Sequence, residues 1–109
     1  MLMPGEMTRT ARGSEADFRG QIVRLAATLG WKHFHPAYAP FADAGWPDLV
    51  LVSRTQKRVI FAELKVKAKV SDAQMDWLDL LIICGQECYI WKPADMDGII
   101  EVLQGGKEC

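Results

Sequence analysis

Apolar residues recur at helical spacing through Phe18, Ile22, Leu25, Ala26 and Leu29, which predicts an amphipathic helix with one buried stripe. Ser14 stands in front of it as an N-cap, Glu15 and Asp17 fill its first turn, and Gly30 closes it. "WKHFH" (31–35) reads as a short strand, and residues 36–46, with Pro36, Pro40 and Gly45, read as a loop. Residues 48–53 and 57–67 read as two strands joined by a polar turn at Thr55 and Gln56, a hairpin. "SDAQMDWLDLLIICG" predicts a second helix from Ser71 to about Ile83, stopped by Gly85. A fourth strand follows at 88–91 and is broken by Pro93; Asp95 then stands where it can cap a last short helix running to about Leu103. The order α-β-β-β-α-β-α, without repeats, describes an α/β domain in which a small mixed sheet is flanked by helices. Residues 1–13, with Pro4, Gly5, Gly13 and no periodicity, are expected to be a flexible leader, 14–104 a single domain and 105–109 a tail.

Three polar residues interrupt this pattern in the strands. Asp48 sits behind Pro47 at the mouth of the apolar run "DLVLV", and after a spacer of fourteen residues Glu63 and then Lys65 fall in "FAELKVK". Alternation puts Val59, Phe61, Glu63, Lys65 and Lys67 on one face of the third strand and Ile60, Ala62, Leu64 and Val66 on the other. Glu63 and Lys65 then point the same way with Cα atoms about 6.5 Å apart. Pairing through the 54–57 turn brings Asp48 to the neighbouring strand end. Such a trio is either a cross-strand salt bridge at a sheet edge or the core of a divalent-cation site, since Mg²⁺ takes hard oxygen ligands from one or two carboxylates.

The helices add two more residues. Gln74 falls in the middle of the stripe made by Trp77, Leu78, Leu81 and Ile82, opposite Asp72, Asp76 and Asp79. It is also the third helical position of a capping box with Ser71. Glu15 shares the stripe of Phe18, Ile22, Ala26 and Leu29, and is also a first-turn acid facing the helix dipole. Three acids aimed at one interior need a shared cation to offset desolvation and mutual repulsion.

Composition narrows the class. The chain has 109 residues, half of them apolar and a quarter charged, which fits one globular domain with one core. No apolar stretch approaches the ~18–20 residues of a membrane span, and "MLMPGEMTRTARG" lacks the apolar core of a secretory signal, so a cytoplasmic protein is expected. Three cysteines, one of them Cys109, make no disulfide framework and no paired zinc motif. The net charge of −1 hides a split: Arg54, Lys57, Arg58, Lys65, Lys67 and Lys69 stand against Glu63 alone in 54–69, whereas 70–109 hold two basic and eight acidic residues. The middle segment is therefore either a local polyanion-binding patch or a solvated face. His33 and His35 share a strand face and are read as hydrogen-bonded histidines at a strand end. Trp31, Trp77 and Trp91 occupy core-like positions, whereas Trp46, beside Pro47, is the one open to stacking on a base.

Gly45-Trp46-Pro47-Asp48, the fourteen-residue spacer and Glu63-Leu64-Lys65 resemble the PD-(D/E)XK nuclease signature. With Glu15, Gln74, Gly30-Trp31, His35, Trp77, Gly85 and "YIWKPAD", residues 14–103 resemble the small stand-alone VRR-NUC (virus-type replication-repair nuclease) proteins common in phages. The resemblance implies a restriction-endonuclease-like core and a metal-dependent endodeoxyribonuclease. It implies that Asp48, Glu63 and the main-chain carbonyl of Leu64 ligate Mg²⁺ or Mn²⁺, with Glu15 an outer ligand or holding a second metal. Lys65 would contact the scissile phosphate and the nucleophilic water, and Gln74 would orient Lys65 or the water. It further implies a homodimer that prefers branched or Holliday-junction DNA, in the cytoplasm of a phage-infected or prophage-bearing bacterium. DNA contacts are expected from Arg54, Lys57, Arg58, Lys67 and Lys69, with Arg9, Arg12, Arg19 and Arg24, and from Trp46 by stacking. The loop 36–44 carries no basic residue. A non-catalytic DNA-binding module on the same fold is the rival reading.

Overall fold

The computed structural model describes residues 14–36 and 44–106. The leader expected over 1–13, with Arg9 and Arg12, lies outside them, as do residues 37–43 of the expected loop and residues 107–109.

Helix α1 spans Glu15–Thr28, and the Ser14 hydroxyl accepts the Asp17 N–H at 3.0 Å, satisfying one of the donors a helix start leaves open. Gly30, at φ 90, turns the chain out of the helix in the left-handed region that favours glycine. Strands β1 (Trp31–Phe34), β2 (Leu49–Ser53) and β3 (Arg58–Leu64) follow, then α2 (Asp72–Ile83), β4 (Glu87–Trp91), a 3₁₀ turn (Pro93–Asp95) and α3 (Met96–Leu103). The order is the α-β-β-β-α-β-α read from the sequence. The sheet runs β1-β2-β3-β4; β1, β2 and β3 pair antiparallel, and β4 lies parallel to β3 after the α2 crossover.

Two local details differ from the sequence reading. The third strand ends at Leu64 rather than reaching Lys67. The physical reason is the Asp48 carboxylate, whose Oδ2 accepts the Leu64 N–H at 3.0 Å in place of a backbone carbonyl and so ends the β2–β3 ladder. Lys65 makes one more ladder bond, to the Trp91 carbonyl at 3.0 Å, and the chain then leaves the sheet. Asp95 does not cap α3 with its side chain; its Oδ2 accepts the Lys92 N–H at 2.9 Å and so closes the preceding 3₁₀ turn.

Alternation along β2 and β3 sends Leu49, Leu51, Ile60, Ala62 and Leu64 to one face, where they meet Phe18, Ile22 and Ala26 of α1 and Ile99, Val102 and Leu103 of α3. Each such buried aliphatic side chain contributes roughly 1.5–3 kcal/mol of transfer free energy. Trp31 and Trp91 close the same core, and the Trp31 indole N–H is satisfied by the Leu103 carbonyl at 2.9 Å. The opposite face of the sheet carries α2. There Phe61 is half-buried and Glu63 is buried, while Val52 and Val59 are exposed. Close cover is therefore confined to the end of the sheet where Glu63 lies.

Candidate active site

The site is built where β2 begins and β3 ends. Gly45 lets the chain pass against α2, since a Cβ there would stand 2.3 Å from the Ala73 carbonyl oxygen and 2.9 Å from Trp77 Cδ1. The next residue, Trp46, wedges edge-on between Phe61 and Trp77, with ring centroids 5.9 and 4.8 Å away. Pro47 is buried, and Asp48 emerges beside β3. Its carbonyl oxygen is hydrogen-bonded to His35 Nδ1 at 2.8 Å, and its side chain holds Leu64, so both ends of Asp48 are fixed.

Glu63 is fully buried on the α2 side of the sheet. Its Oε2 accepts from Gln74 Nε2 at 2.6 Å and lies 3.3 Å from Lys65 Nζ. Gln74 Oε1 meanwhile accepts the Ser71 N–H at 2.9 Å, and the Ser71 hydroxyl accepts the Gln74 N–H at 3.1 Å. The two roles open for Gln74 in the sequence are thus filled together: the capping box fixes the carboxamide, and that orientation turns its NH₂ toward Glu63.

Glu63 Oε1 is buried without a hydrogen-bond partner among the described residues. The Asp48 carboxylate lies beside the Glu63 carboxyl, and when both are ionised they are acceptors alone and repel each other. Burial first, and Asp48 second, push the Glu63 carboxyl up to about 7, against the pull of Lys65. An orphaned oxygen between two facing acids fits a hard cation, which satisfies both at once. No group of three or more acidic, histidine or cysteine side chains comes together among the described residues. The acids that meet are two, and Glu15, half-buried in the first turn of α1, is not brought to them.

The expected DNA-contacting residues do not form one patch. Arg54 and Lys57 are exposed at the β2–β3 turn, with Lys57 at φ 55. That turn is about 16 Å from Glu63 along β3. Lys67 and Lys69 are exposed just beyond the site. Arg58 departs from the expectation altogether. It is buried, paired with Glu87, bonded to Gln56 and to the Val102 carbonyl at 2.9 Å, and lies 5.2 Å over the Trp31 ring. These contacts consume its donors in fastening α3 to the sheet. Trp46 also departs, because its half-buried ring is engaged by Phe61 and Trp77 rather than open to a base. The sequence reads His35 as a hydrogen-bonded histidine at a strand end without saying what it holds. Its bond to the Asp48 carbonyl joins residues thirteen apart, and only its position at the end of β1 hinted at it.

The fold and the cluster together define a small α/β domain with an acid–lysine site at one end of a mixed sheet. Residues 40–93 match the family model of the VRR-NUC domain. The match takes in Asp48, Glu63, Lys65 and Gln74 and leaves out Glu15. No curated protein and no solved structure matches the chain. VRR-NUC is a nuclease domain, so the match points toward a nuclease acting on DNA. No helix among the described residues is long and apolar enough to cross a membrane.

Proposed function

We propose that the chain is a Mg²⁺- or Mn²⁺-dependent endodeoxyribonuclease of the PD-(D/E)XK type whose site is the Asp48–Glu63–Lys65–Gln74 cluster. The observation that carries this reading is the buried Glu63 carboxyl beside Asp48, with its Oε1 unpartnered among the described residues, inside the stretch that matches a nuclease domain. Asp48 and Glu63 would hold the cation, with the Leu64 carbonyl as a further ligand and Glu15 as an outer one. Bound there, a divalent ion supplies Lewis-acid polarisation of the phosphate and lowers the pKa of water.

The chain's own residues do the rest. Lys65, 3.3 Å from Glu63, stabilises negative charge on the phosphate and positions the attacking water. Gln74 keeps Glu63 Oε2 turned toward Lys65, and His35 keeps Asp48 at the strand mouth. Lys67 and Lys69 lie where the DNA backbone would leave the site, so affinity falls with salt. In this reading 14–104 is the nuclease domain. By its resemblance to stand-alone phage-type relatives it works as a homodimer on branched DNA, in the cytoplasm of the host cell.

The test is cleavage of labelled four-way junction, flap and linear duplex with Mg²⁺, Mn²⁺ or chelator. Cleavage that needs the metal, favours the junction or flap, and disappears in Asp48→Ala is expected. Retention of DNA without cleavage under every condition would sink the catalytic reading.

A further inference from the structure

The sheet has two edges, and they are defended differently. The β1 edge is four residues long and carries Lys32, a common guard against unwanted strand pairing. The β4 edge, Glu87–Trp91, has no lysine and no proline. Its one charge, Glu87, is turned inward to Arg58 and accepts the Tyr89 hydroxyl at 2.6 Å. Because the Trp91 carbonyl points to β3, where it accepts the Lys65 N–H, alternation sends the backbone N–H and C=O of Cys88 and Ile90 the other way, off the sheet.

A cavity flanks this edge on each face. On the α3 side, about 400 Å³ is lined by Tyr89, Trp91, Ala94, Asp95, Gly98 and Ile99, with Tyr89 and Trp91 stacked at 5.3 Å. On the α2 side, about 110 Å³ is lined by Met75, Leu78, Ile82, Cys88 and Ile90. Ile82 is 54% exposed there and Ile90 38%, large for apolar side chains beside a strand edge. An edge left open among the described residues, with a larger aromatic cavity on one side and a smaller aliphatic one on the other, suits an added strand. Its backbone pairs with the edge, and its alternate side chains enter the two cavities.

Charge selects the occupant. Asp95 lines the larger cavity, and Glu101 lies on the same side of α3 as Gly98. Asp79 lies one turn from Met75 on the side of α2 that meets the smaller cavity. Residues 70–109 carry eight acidic and two basic side chains. A second copy of this edge would set acid against acid. We infer that the β4 edge docks an extended, basic segment of a partner protein, with an aromatic residue for the α3-side cavity flanked by small aliphatic residues for the α2-side cavity.

The probe is a capped peptide RKVYVKR, titrated into ¹⁵N-labelled full chain, with EEVYVEE as the charge control. Saturable binding that weakens with salt is expected, with new exchange protection at the Cys88 and Ile90 amides and none from the acidic peptide. Gly98→Leu extends a side chain into the larger cavity from a position where a Cβ meets nothing within 4 Å, so the fold survives. It should weaken the peptide at least tenfold, and so should Ile90→Pro, which removes one outward N–H. Three results overturn the inference: equal binding of the acidic peptide, no protection at Cys88 and Ile90, or unchanged affinity in Gly98→Leu. Concentration-dependent protection of those amides without peptide, abolished by Ile90→Pro, also overturns it, because the occupant is then a second copy.

Discussion

Replacing Glu63 by glutamine should stabilise the cation-free protein at high pH and leave it nearly unchanged at low pH. The Glu63 carboxyl is raised from an ordinary 4.5 to about 7 by burial and by Asp48. Its ionisation in the folded chain therefore costs roughly 3 kcal/mol more than in the unfolded chain. Since the folded value is the higher one, that cost is absent below about pH 4.5. It grows as pH rises through the interval to about 7, and is constant above it. For a domain of this size roughly 3 kcal/mol corresponds to a shift in Tm on the order of 10 °C. The assay is thermal unfolding of wild type and Glu63→Gln in chelator at about pH 5 and about pH 8, spanning the interval in which the carboxyl ionises. Wild type should lose stability between the two pH values and the variant should not, so that the curves separate at the higher pH. Adding Mn²⁺ at the higher pH should raise the wild-type Tm and leave the variant's alone. If the variant is less stable by the same margin at both pH values, the reasoning from burial and repulsion fails.

Other perturbations read different parts of the account. Gly45→Ala puts a methyl 2.3 Å from the Ala73 carbonyl and must push α2 away, so it should cost about 1–3 kcal/mol and lower cleavage through the displaced Gln74. Chemical denaturation and cleavage rate measured on the same sample check it. Gln74→Ala removes the half of the capping box that its side chain contributes and the donor to Glu63. About 1 kcal/mol of stability should go with it, together with a larger fall in kcat than in DNA affinity. Arg58→Ala removes the charged partner of half-buried Glu87 and the bonds to Gln56 and the Val102 carbonyl, and should cost about 3 kcal/mol, whereas Arg54→Ala and Lys57→Ala should stay within about 0.5 kcal/mol. Lys67→Ala with Lys69→Ala should flatten the salt dependence of DNA binding more than Arg54→Ala with Lys57→Ala, because only the first pair lies beside the site.

The elements were legible because local signals agree with tertiary packing: the Ser14 and Ser71 caps, the Gly30 turn and the apolar alternation of β2 and β3 all appear in the structure. Asp48, Glu63, Lys65 and Gln74 were legible as polar residues at apolar positions, and the fold does bring them together. What local pattern cannot carry is the destination of a long side chain. Arg58 is one of six basic residues in 54–69, and nothing near it in sequence says that Glu87, twenty-nine residues away, will take it into the interior. Trp46 looked open because it stands beside Pro47, yet the absence of a Cβ at Gly45 is what lets α2 come close enough to enclose it. The end of β3 was overrun because Lys65 and Lys67 continue the alternation in sequence, while the strand stops where the Asp48 side chain replaces a ladder partner.

Calorimetric titration of Mn²⁺ into wild type, Glu63→Gln and Asp48→Asn, at a pH near the raised Glu63 value, tests the central claim most directly. With Glu63 partly protonated at about 7, wild type should bind the ion and release a proton into the buffer as it does so, while each variant loses most of the affinity. Binding of equal strength in all three proteins, or no binding by any of them, contradicts a cation site between Asp48 and Glu63.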